Sequence, residues 1–335
     1  MKITDFDFSL PRDLIAERPL HDRDRSRLLV LHRDGTIEHK HFTDFPTYLN
    51  NGDLVLINNT KVFPARLTGG KESGGKIEIL LVRQTEDGIW EVLSKGSYTG
   101  TVTISEHLSL DLFKGRTAHF HYTGDLFELI WQYGAMPLPP YIKRSPEESD
   151  KERYQTIFAS HQGSIAAPTA GLHFTRESMN VLIEKGVLVR ALTLHVGIGT
   201  FRPVRSISLK DHTMDAEYFE IDKRLIHEIH EAKASGNKVI SVGTTTTRAI
   251  EGFLSGICHV TAHNGKLQGM TDIFIYPGYT FKAIDSLLTN FHLPRSTPLM
   301  LASAICNRES LLNAYRHALA KRYRFLSYGD AMLIL

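Results

Sequence analysis

The sequence predicts an α/β protein: a mixed, largely parallel sheet with flanking helices, into which a small antiparallel β-barrel is inserted. Three observations predict it. From residue 150 onward, apolar strand-like runs alternate with amphipathic helical runs, which is the pattern of a parallel sheet under helices. Residues 62 to 140 have a different texture, with short β-rich runs punctuated by glycines and no long helical period. Residues 51 to 58 (N-G-D-L-V-L-I-N) form an apolar run entered from an Asn-Gly turn, and they suit the later sheet better than the barrel.

The bulk numbers set the frame. With 335 residues there is room for two or more domains. A 42% hydrophobic and 23% charged composition is that of an ordinary globular protein. The formal net charge of +2 neither demands nor forbids a nucleic-acid partner, so local basic groups must carry that argument. Two cysteines, Cys258 and Cys306, give no disulfide framework and no Cys-rich zinc site. No signal peptide is read at M-K-I-T-D-F-D-F, and apolar runs such as Pro298 to Ile305 are too short to span a bilayer. A cytoplasmic protein without membrane contact is expected.

After the strand at 51 to 58, Asn58-Asn59-Thr60-Lys61 is a polar break. The barrel strands are expected at Val62 to Thr68, Lys76 to Arg83, Ile89 to Ser94, Thr101 to Ile104 and Thr117 to Tyr122, with a possible helical turn at Leu126 to Gln132. The prolines of P-L-P-P-Y-I-K-R close this region as an extended linker. Residues 1–60 and 150–335 then form a discontinuous α/β catalytic domain, and residues 61–149 the inserted barrel.

In the second half, Thr175 caps a helix that runs to Lys185, with Glu177 in its first turn and Gly186 beyond its end. Val187 to Val196 is a strand. Lys223 to Ala234 is a helix with Leu225, Ile226, Ile229 and Ala232 on one side. Lys238 to Val242 is a strand followed by a helix from Thr246 to Leu254. Ser286 to His292 is a strand, and Pro298 suits the first position of a helix capped by Ser296 or Thr297. Glu309 to Arg322 is the last helix, and Asp330 to Leu335 the last strand.

Four segments carry candidate chemistry. In G-S-I-A-A-P-T-A-G-L-H-F-T (163 to 175) the small residues Ser164, Ala166, Ala167, Ala170 and Gly171 allow close backbone approach, Pro168 stops a helix, and Thr169, His173 and Phe174 follow. The other three follow strand ends, where open α/β sheets bind ligands. L-H-V-G-I-G-T-F-R-P (194 to 203) offers His195, Gly197, Gly199 and Thr200 without a dinucleotide fingerprint. V-G-T-T-T-T-R-A-I-E (242 to 251) places Gly243, Thr244, Thr245 and Arg248 at a helix start, where free N–H groups can hold an anion or a ribose. L-T-N-F-H-L-P-R-S-T-P (288 to 298) brings Asn290, His292 and Arg295. Each segment also has a purely structural reading as turn, cap or core. Their coincidence on one rim of a parallel sheet favours a site.

Rival chemistries fit less well. His173, His195 and His292 match no compact zinc spacing such as H-E-x-x-H. There is no G-x-S-x-G for a serine hydrolase. Basic and aromatic residues cluster where the barrel begins and ends: Lys61, Phe63 and Arg66, then Tyr141, Lys143, Arg144, Lys151, Arg153 and Tyr154. With Arg202 and Arg205 they suit phosphate contacts and base stacking, or are simply solvated charges. A non-catalytic RNA-binding module would leave the rim loops unexplained. A metal hydrolase would leave the basic residues unexplained.

The combination N-N-T-K-V-F-P-A-R-L (58 to 67), G-S-I-A-A-P-T-A-G-L-H-F-T, L-H-V-G-I-G-T-F-R-P-V, V-G-T-T-T-T-R and L-L-T-N-F-H-L-P-R-S-T resembles the S-adenosylmethionine:tRNA ribosyltransferase-isomerase family of queuosine synthesis, from the first residues to the Y-G-D-A-M-L-I-L tail. The resemblance implies that the ribosyl part of S-adenosylmethionine moves onto the aminomethyl group of a 7-deazaguanine at the tRNA wobble position. Adenine and methionine leave, and the product is epoxyqueuosine. S-adenosylmethionine is then a consumed substrate, no cofactor or metal is needed, tRNA is the partner, and a monomer is expected. It further implies His173 or His195 as the base, and Glu217 and Asp272 as carboxylates for the sulfonium or the amine. Ala167, Pro168, Thr169, Gly171, Phe174, Gly197, Gly199 and Thr200 would line the substrate. Gly243, Thr244, Thr245 and Arg248 would hold ribose or methionine carboxylate, with Asn290 and His292 at adenine. Lys61, Arg66, Lys143, Arg144, Arg202 and Arg295 would meet tRNA phosphates.

Overall fold

The computed structural model describes residues 1–201 and 206–335, with the side chains of Thr200 and Phe201 left aside. The chain forms two compact units. Met1–Thr60, Thr156–His161 and Pro168–Leu335 make the first; Lys61–Gln155 and Gln162–Ala167 make the second.

The first unit opens with β1 (Arg27–Leu31) and β2 (Ile37–His41), a hairpin, and then β3 (Leu54–Asn58), which is buried at every position. A short strand, β4 (Thr60–Val62), follows.

The second unit is a closed six-stranded barrel of β5 (Arg66–Lys71), β6 (Lys76–Glu86), β7 (Ile89–Ser94), β8 (Gly100–Ser105), β9 (Leu108–Phe113) and β10 (Thr117–Tyr122), with every neighbouring pair antiparallel. Strand β9 went unread in the sequence, although L-S-L-D-L-F alternates strictly; Leu108, Leu110 and Leu112 point into the barrel core. The 126–132 turn is a full helix, α1 (Leu126–Tyr133), capped by Asp125, whose carboxylate accepts from Glu128 N at 2.9 Å. A short α2 (Asp150–Arg153) follows, and β11 (His161–Ser164) pairs with β4.

The chain then lays down α3 (Arg176–Glu184), β12 (Leu188–Leu194), β13 (Glu217–Asp222), α4 (Lys223–Ala234), β14 (Val239–Val242), α5 (Thr244–Ser255), β15 (Val260–His263), β16 (Lys266–Thr271), β17 (Ser286–Asn290), α6 (Thr297–Ile305), α7 (Arg308–Ala320) and β18 (Ala331–Ile334). Thr175 caps α3 as expected, accepting from Ser178 N. The sheet order is β15-β16-β13-β12-β3-β14-β17-β18-β1-β2. Its centre, β12-β3-β14-β17, is parallel, as is β18-β1; the remaining pairs are antiparallel, which makes the sheet mixed.

Side-chain alternation assigns the two faces. Val55, Ile57, Ile240, Val242, Leu288, Leu28 and Val30 pack with Phe42, Phe45, Phe174 and Leu182 of α3 in one core. The opposite face of the central strands carries α4 to α7, with Arg190 reaching Glu228 of α4 and Ser241 reaching Thr247 of α5. Order matters most at β3. The chain adds β12 on one side of it and β14 on the other, so β3 marks the topological switch point, where open α/β sheets have their crevice.

Helix α5 lies very close to the end of β16 at Gly252. A Cβ there would run into the Thr271 hydroxyl and meet the Thr271 Cβ at 2.9 Å. Gly252→Ala is therefore expected to destabilise the fold by about 1–3 kcal/mol through overpacking. Chemical denaturation checks this, and adding Thr271→Ala should restore a good part of the loss.

Candidate functional site

The carboxyl ends of β12, β3, β14 and β17 lie on one rim, and one side chain fastens three of its components. Asn58 is 1% exposed at the end of β3. Its Oδ1 accepts from Thr60 N at 3.0 Å and Leu194 N at 3.1 Å. Its Nδ2 donates to Leu194 O at 2.9 Å and to Thr245 Oγ1 at 3.3 Å. The ends of β3 and β12 and the first turn of α5 are thus held by one amide.

On the α5 face, Gly243 precedes the helix with φ 87°, a left-handed conformation that a side chain would strain. As a glycine it offers no side-chain cap, so the first-turn N–H groups get no acceptor from it. The threonine run divides. Thr246 and Thr247 hydroxyls donate back to Val242 O (2.6 Å) and Gly243 O (3.2 Å) and serve the helix. Thr244 and Thr245 line a pocket with Arg248, Ile273, Phe274 and Pro298. Glu217, at the start of β13, is buried and ion-paired to Arg248 Nη1, and it accepts from Gly197 N at 3.0 Å. Arg248 Nε donates to Ile273 O at 3.2 Å, while Nη2 is buried with no hydrogen-bond partner among the described residues. Gly199 adjoins Asp215, which a Cβ would strike at 2.8 Å.

The opposite face holds the histidines. His173 is 4% exposed, stacked on Phe42 with centroids 5.3 Å apart. Thr169 donates to Asn290 Oδ1 at 2.9 Å, which turns Asn290 Nδ2 toward His173 Nε2 at 3.1 Å. Nε2 is then the acceptor, and Nδ1–H donates to Ser26 Oγ at 2.7 Å. Burial, helped by Arg324 and Arg23, holds this imidazole down at about 4. His195 differs. Its Nδ1 lies 2.8 Å from Thr60 Oγ1, its ring stacks on Tyr218 at 5.5 Å, and it is half-buried. Thr60 Oγ1 donates to His161 O at 3.5 Å, so it accepts from Nδ1–H and leaves Nε2 carrying the lone pair. Desolvation lowers His195 to about 4, with Glu220 pulling the other way.

The remaining expected residues are more scattered. Phe174 is fully buried among Phe42, Phe45 and Phe158, a core ring. Gly171 packs under Phe158 and Thr156, where a Cβ would meet both at 2.8 Å. Pro168 precedes the short helical turn Thr169–His173, and buried Ala167 belongs to the second unit. His292 is lowered to about 3 by desolvation; its Nε2 pairs with Thr289 Oγ1 at 2.9 Å, and its N–H donates to the Tyr315 hydroxyl. Asp272 is exposed just beyond β16. Among the described residues, no three His, Cys, Asp or Glu groups stand close enough to hold a metal. No described helix is long and apolar enough to cross a membrane.

Of the basic set, Arg144 is locked bidentate onto buried Asp150 at 2.6 and 2.7 Å, Arg66 pairs with Glu78 at 2.6 Å, and Arg295 pairs with Asp7. Lys143 is exposed, and Lys61 lies over the Trp131 ring at 5.1 Å. Arg202 lies outside the described residues, as does the side chain of Thr200. The sequence reading missed Asn58, Thr60, Ser26, Tyr218 and Glu220. The polar break after the 51–58 strand was the available signal for the first two.

The chain matches the model of a family described as queuosine biosynthesis protein over residues 3–334. It is 53% identical to the S-adenosylmethionine:tRNA ribosyltransferase-isomerase of Thermodesulfovibrio yellowstonii and 49% identical to that of Clostridioides difficile, covering 100% of both chains in each case. The crystal structure of S-adenosylmethionine tRNA ribosyltransferase from Thermotoga maritima superimposes with a TM-score of 0.57 at 35% identity, over 99% of this chain and 100% of the other.

Two outcomes are expected. Asn58→Ala leaves the buried backbone N–H of Thr60 and the N–H and C=O of Leu194 without their partner, frees the Thr245 hydroxyl, and should cost about 2–4 kcal/mol in chemical denaturation. An unfolded histidine gains a proton below about pH 6.5, whereas folded His173 resists to about 4. The unfolded chain binds more protons in that window, so stability falls as pH drops through it, by roughly 2–3 kcal/mol from His173 by pH 4.5. Urea midpoints against pH should show this slope, and His173→Asn should reduce it by the share of His173, leaving those of His195 and His292.

Proposed function

The chain belongs to the queuosine biosynthesis protein family, and from that premise we propose that it transfers and isomerises the ribosyl group of S-adenosylmethionine onto the aminomethyl-deazaguanine at the tRNA wobble position, releasing adenine and methionine. The observation that carries this reading beyond the family is the rim itself. A hydrogen-bonded, base-ready His195 and an anion-ready helix start lie at neighbouring strand ends around the β3 switch point.

The chemistry needs three things. The sulfonium acidifies the adjacent 5′ carbon, and a base must take that proton. The attacking amine must be neutral. Adenine must be protonated or held as it leaves. His195 suits the base: Nε2 is unprotonated, and Thr60 fixes the ring. A neutral imidazole does not repel a cationic substrate. The imidazolium that forms faces Tyr218 and Glu220, whose charge favours it. His173 suits positioning instead, because both its nitrogens are engaged. Through Asn290 it sets the 169–173 turn against the end of β17. The start of α5 would hold the ribose or the methionine carboxylate. Positioning of the two substrates supplies much of the remaining acceleration. For tRNA, Lys143 and Lys61 suit phosphates best, since carboxylates already hold Arg66, Arg144 and Arg295.

The test is chromatographic. Incubation with S-adenosylmethionine and tRNA carrying the precursor base should release adenine, and omission of either should abolish it; no adenine with both present overturns the reading. His195→Ala should lower turnover at least ~100-fold, and His173→Ala should act mainly on melting temperature. The reverse pattern would reassign the base. Lys143→Ala should flatten the salt dependence of tRNA affinity by roughly one phosphate contact, whereas Arg144→Ala should destabilise the protein by removing the guanidinium that is paired with the buried Asp150 carboxylate.

A further inference from the structure

Arg248 is an unusual side chain in its setting. Its side chain is only 8% exposed and that of Glu217 only 3%, so the pair is buried on both sides. Buried guanidinium donors are expensive to leave unmade. Glu217 takes Nη1 and the Ile273 carbonyl takes Nε, yet Nη2 has no partner among the described residues. Glu217 is itself fixed by Gly197 N, so the unused edge of the guanidinium has a set direction.

Arg248 lines a pocket together with the start of α5. Helix α5 spans 12 residues and begins there from a glycine that supplies no cap. Its first N–H groups and the positive end of its dipole favour an anion. The half-exposed Thr244 also lines the pocket. The rest of the lining is mostly apolar, including Met214, Ile273, Phe274 and Leu301.

The geometry points to a carboxylate subsite that reads the methionyl end of S-adenosylmethionine, with Arg248 Nη2 and the α5 N-terminus on the α-carboxylate and the apolar wall on the side-chain methylenes. This rests on the proposed activity, and it decides between the two occupants left open there. A ribose presents hydroxyls on most of its edges and would set them against Met214, Phe274 and Leu301. A carboxylate on a short apolar chain matches a cationic, donor-rich end and an apolar wall. Glu217 is a positioning residue here, because it orients the guanidinium. Free methionine carries the same carboxylate and chain. It therefore binds the same subsite and competes with S-adenosylmethionine, so that the released amino acid restrains turnover.

Calorimetry on the full-length protein tests this with L-methionine and L-methioninol, which differ only in the carboxylate. Methionine should bind, and methioninol should bind at least tenfold more weakly. Arg248→Met should cost methionine at least tenfold in affinity. Because that change leaves Glu217 buried without its partner, the Arg248→Met/Glu217→Gln double variant is measured beside it, with the same loss expected. Equal affinity for the two ligands, no methionine binding at millimolar concentration, or unaltered affinity in the folded double variant would each overturn the subsite. Adenine release by the unmodified protein separates the two ideas. If adenine is released while methionine and methioninol fail to differ, the subsite is wrong and the activity stands; if no adenine is released, the activity itself fails.

Discussion

One buried amide sets the geometry on which everything at the rim depends. A strand that ends inside a protein leaves backbone groups to be satisfied, and neighbouring strands need not end at the same height. Asn58 meets both requirements at the centre of the sheet. It satisfies Thr60 N and both the N–H and C=O of Leu194, and with its last donor it reaches Thr245. No aliphatic side chain could do this, and an aspartate would lack the two donors. The direction in which the chain leaves β12 toward His195, and the height at which α5 begins, both follow from that residue. Its place is consistent with this: Asn58 is the last residue of β3, the strand flanked by β12 and β14 at the switch point.

The sheet edge also divides the chemistry by sign. The α5 face gathers donors: the uncapped helix start, Thr244 and the unused guanidinium edge. The other face carries neutral imidazoles, with burial keeping His173 and His195 uncharged near pH 7, and of the two only His195 keeps an acceptor nitrogen that no described residue already occupies. A substrate with an anionic end and a cationic centre fits that division if it straddles the edge. Its carboxylate would meet the donors, and its sulfonium would meet an unprotonated imidazole. Two cationic histidines would oppose the same substrate, so desolvation of these rings serves binding and keeps them unprotonated, at a cost in intrinsic basicity.

Much of this was legible in the sequence, and the reasons for the gaps are physical. The parallel centre was readable because β3, β12, β14 and β17 are apolar runs beside amphipathic helices. The helix from Lys223 to Ala234 matched to the residue. The three strand-end loops could be located because polar, glycine- or proline-marked sequence follows each apolar strand, although the same letters also suit a plain turn or cap. Strand β9 was overlooked because leucine, serine and aspartate are weak strand formers, although their alternation was complete. The strand β13, E-Y-F-E-I-D, has the same character, with acidic residues masking a regular pattern. Individual roles were not legible, because they depend on which neighbour arrives from far away in sequence. His173 and His195 look equivalent as letters. Ser26 and Asn290, 147 and 117 residues away from His173, occupy both nitrogens of one, and Thr60 occupies a single nitrogen of the other. Phe174 and Gly171 looked like ligand contacts because of their neighbours in sequence, whereas Phe42, Phe45 and Phe158 surround Phe174, and Phe158 and Thr156 pack on Gly171.

The segments through which the chain leaves and re-enters the first unit have a part in the site as well. It leaves through Asn59 and Thr60 and re-enters through Thr156–His161. These few residues are not passive linkers. Asn59 accepts from the Thr193 hydroxyl at 2.7 Å, and its carbonyl accepts from Ser160 N at 2.8 Å. Thr60 holds His195 while itself donating to the carbonyl of His161. Thr156 and Phe158 press on Gly171, two residues before His173. A change in the path of either segment would therefore reach His195 through a single hydrogen bond and the 169–173 turn through direct packing. Both of the histidines singled out from the sequence are thus supported by the residues that flank the insertion.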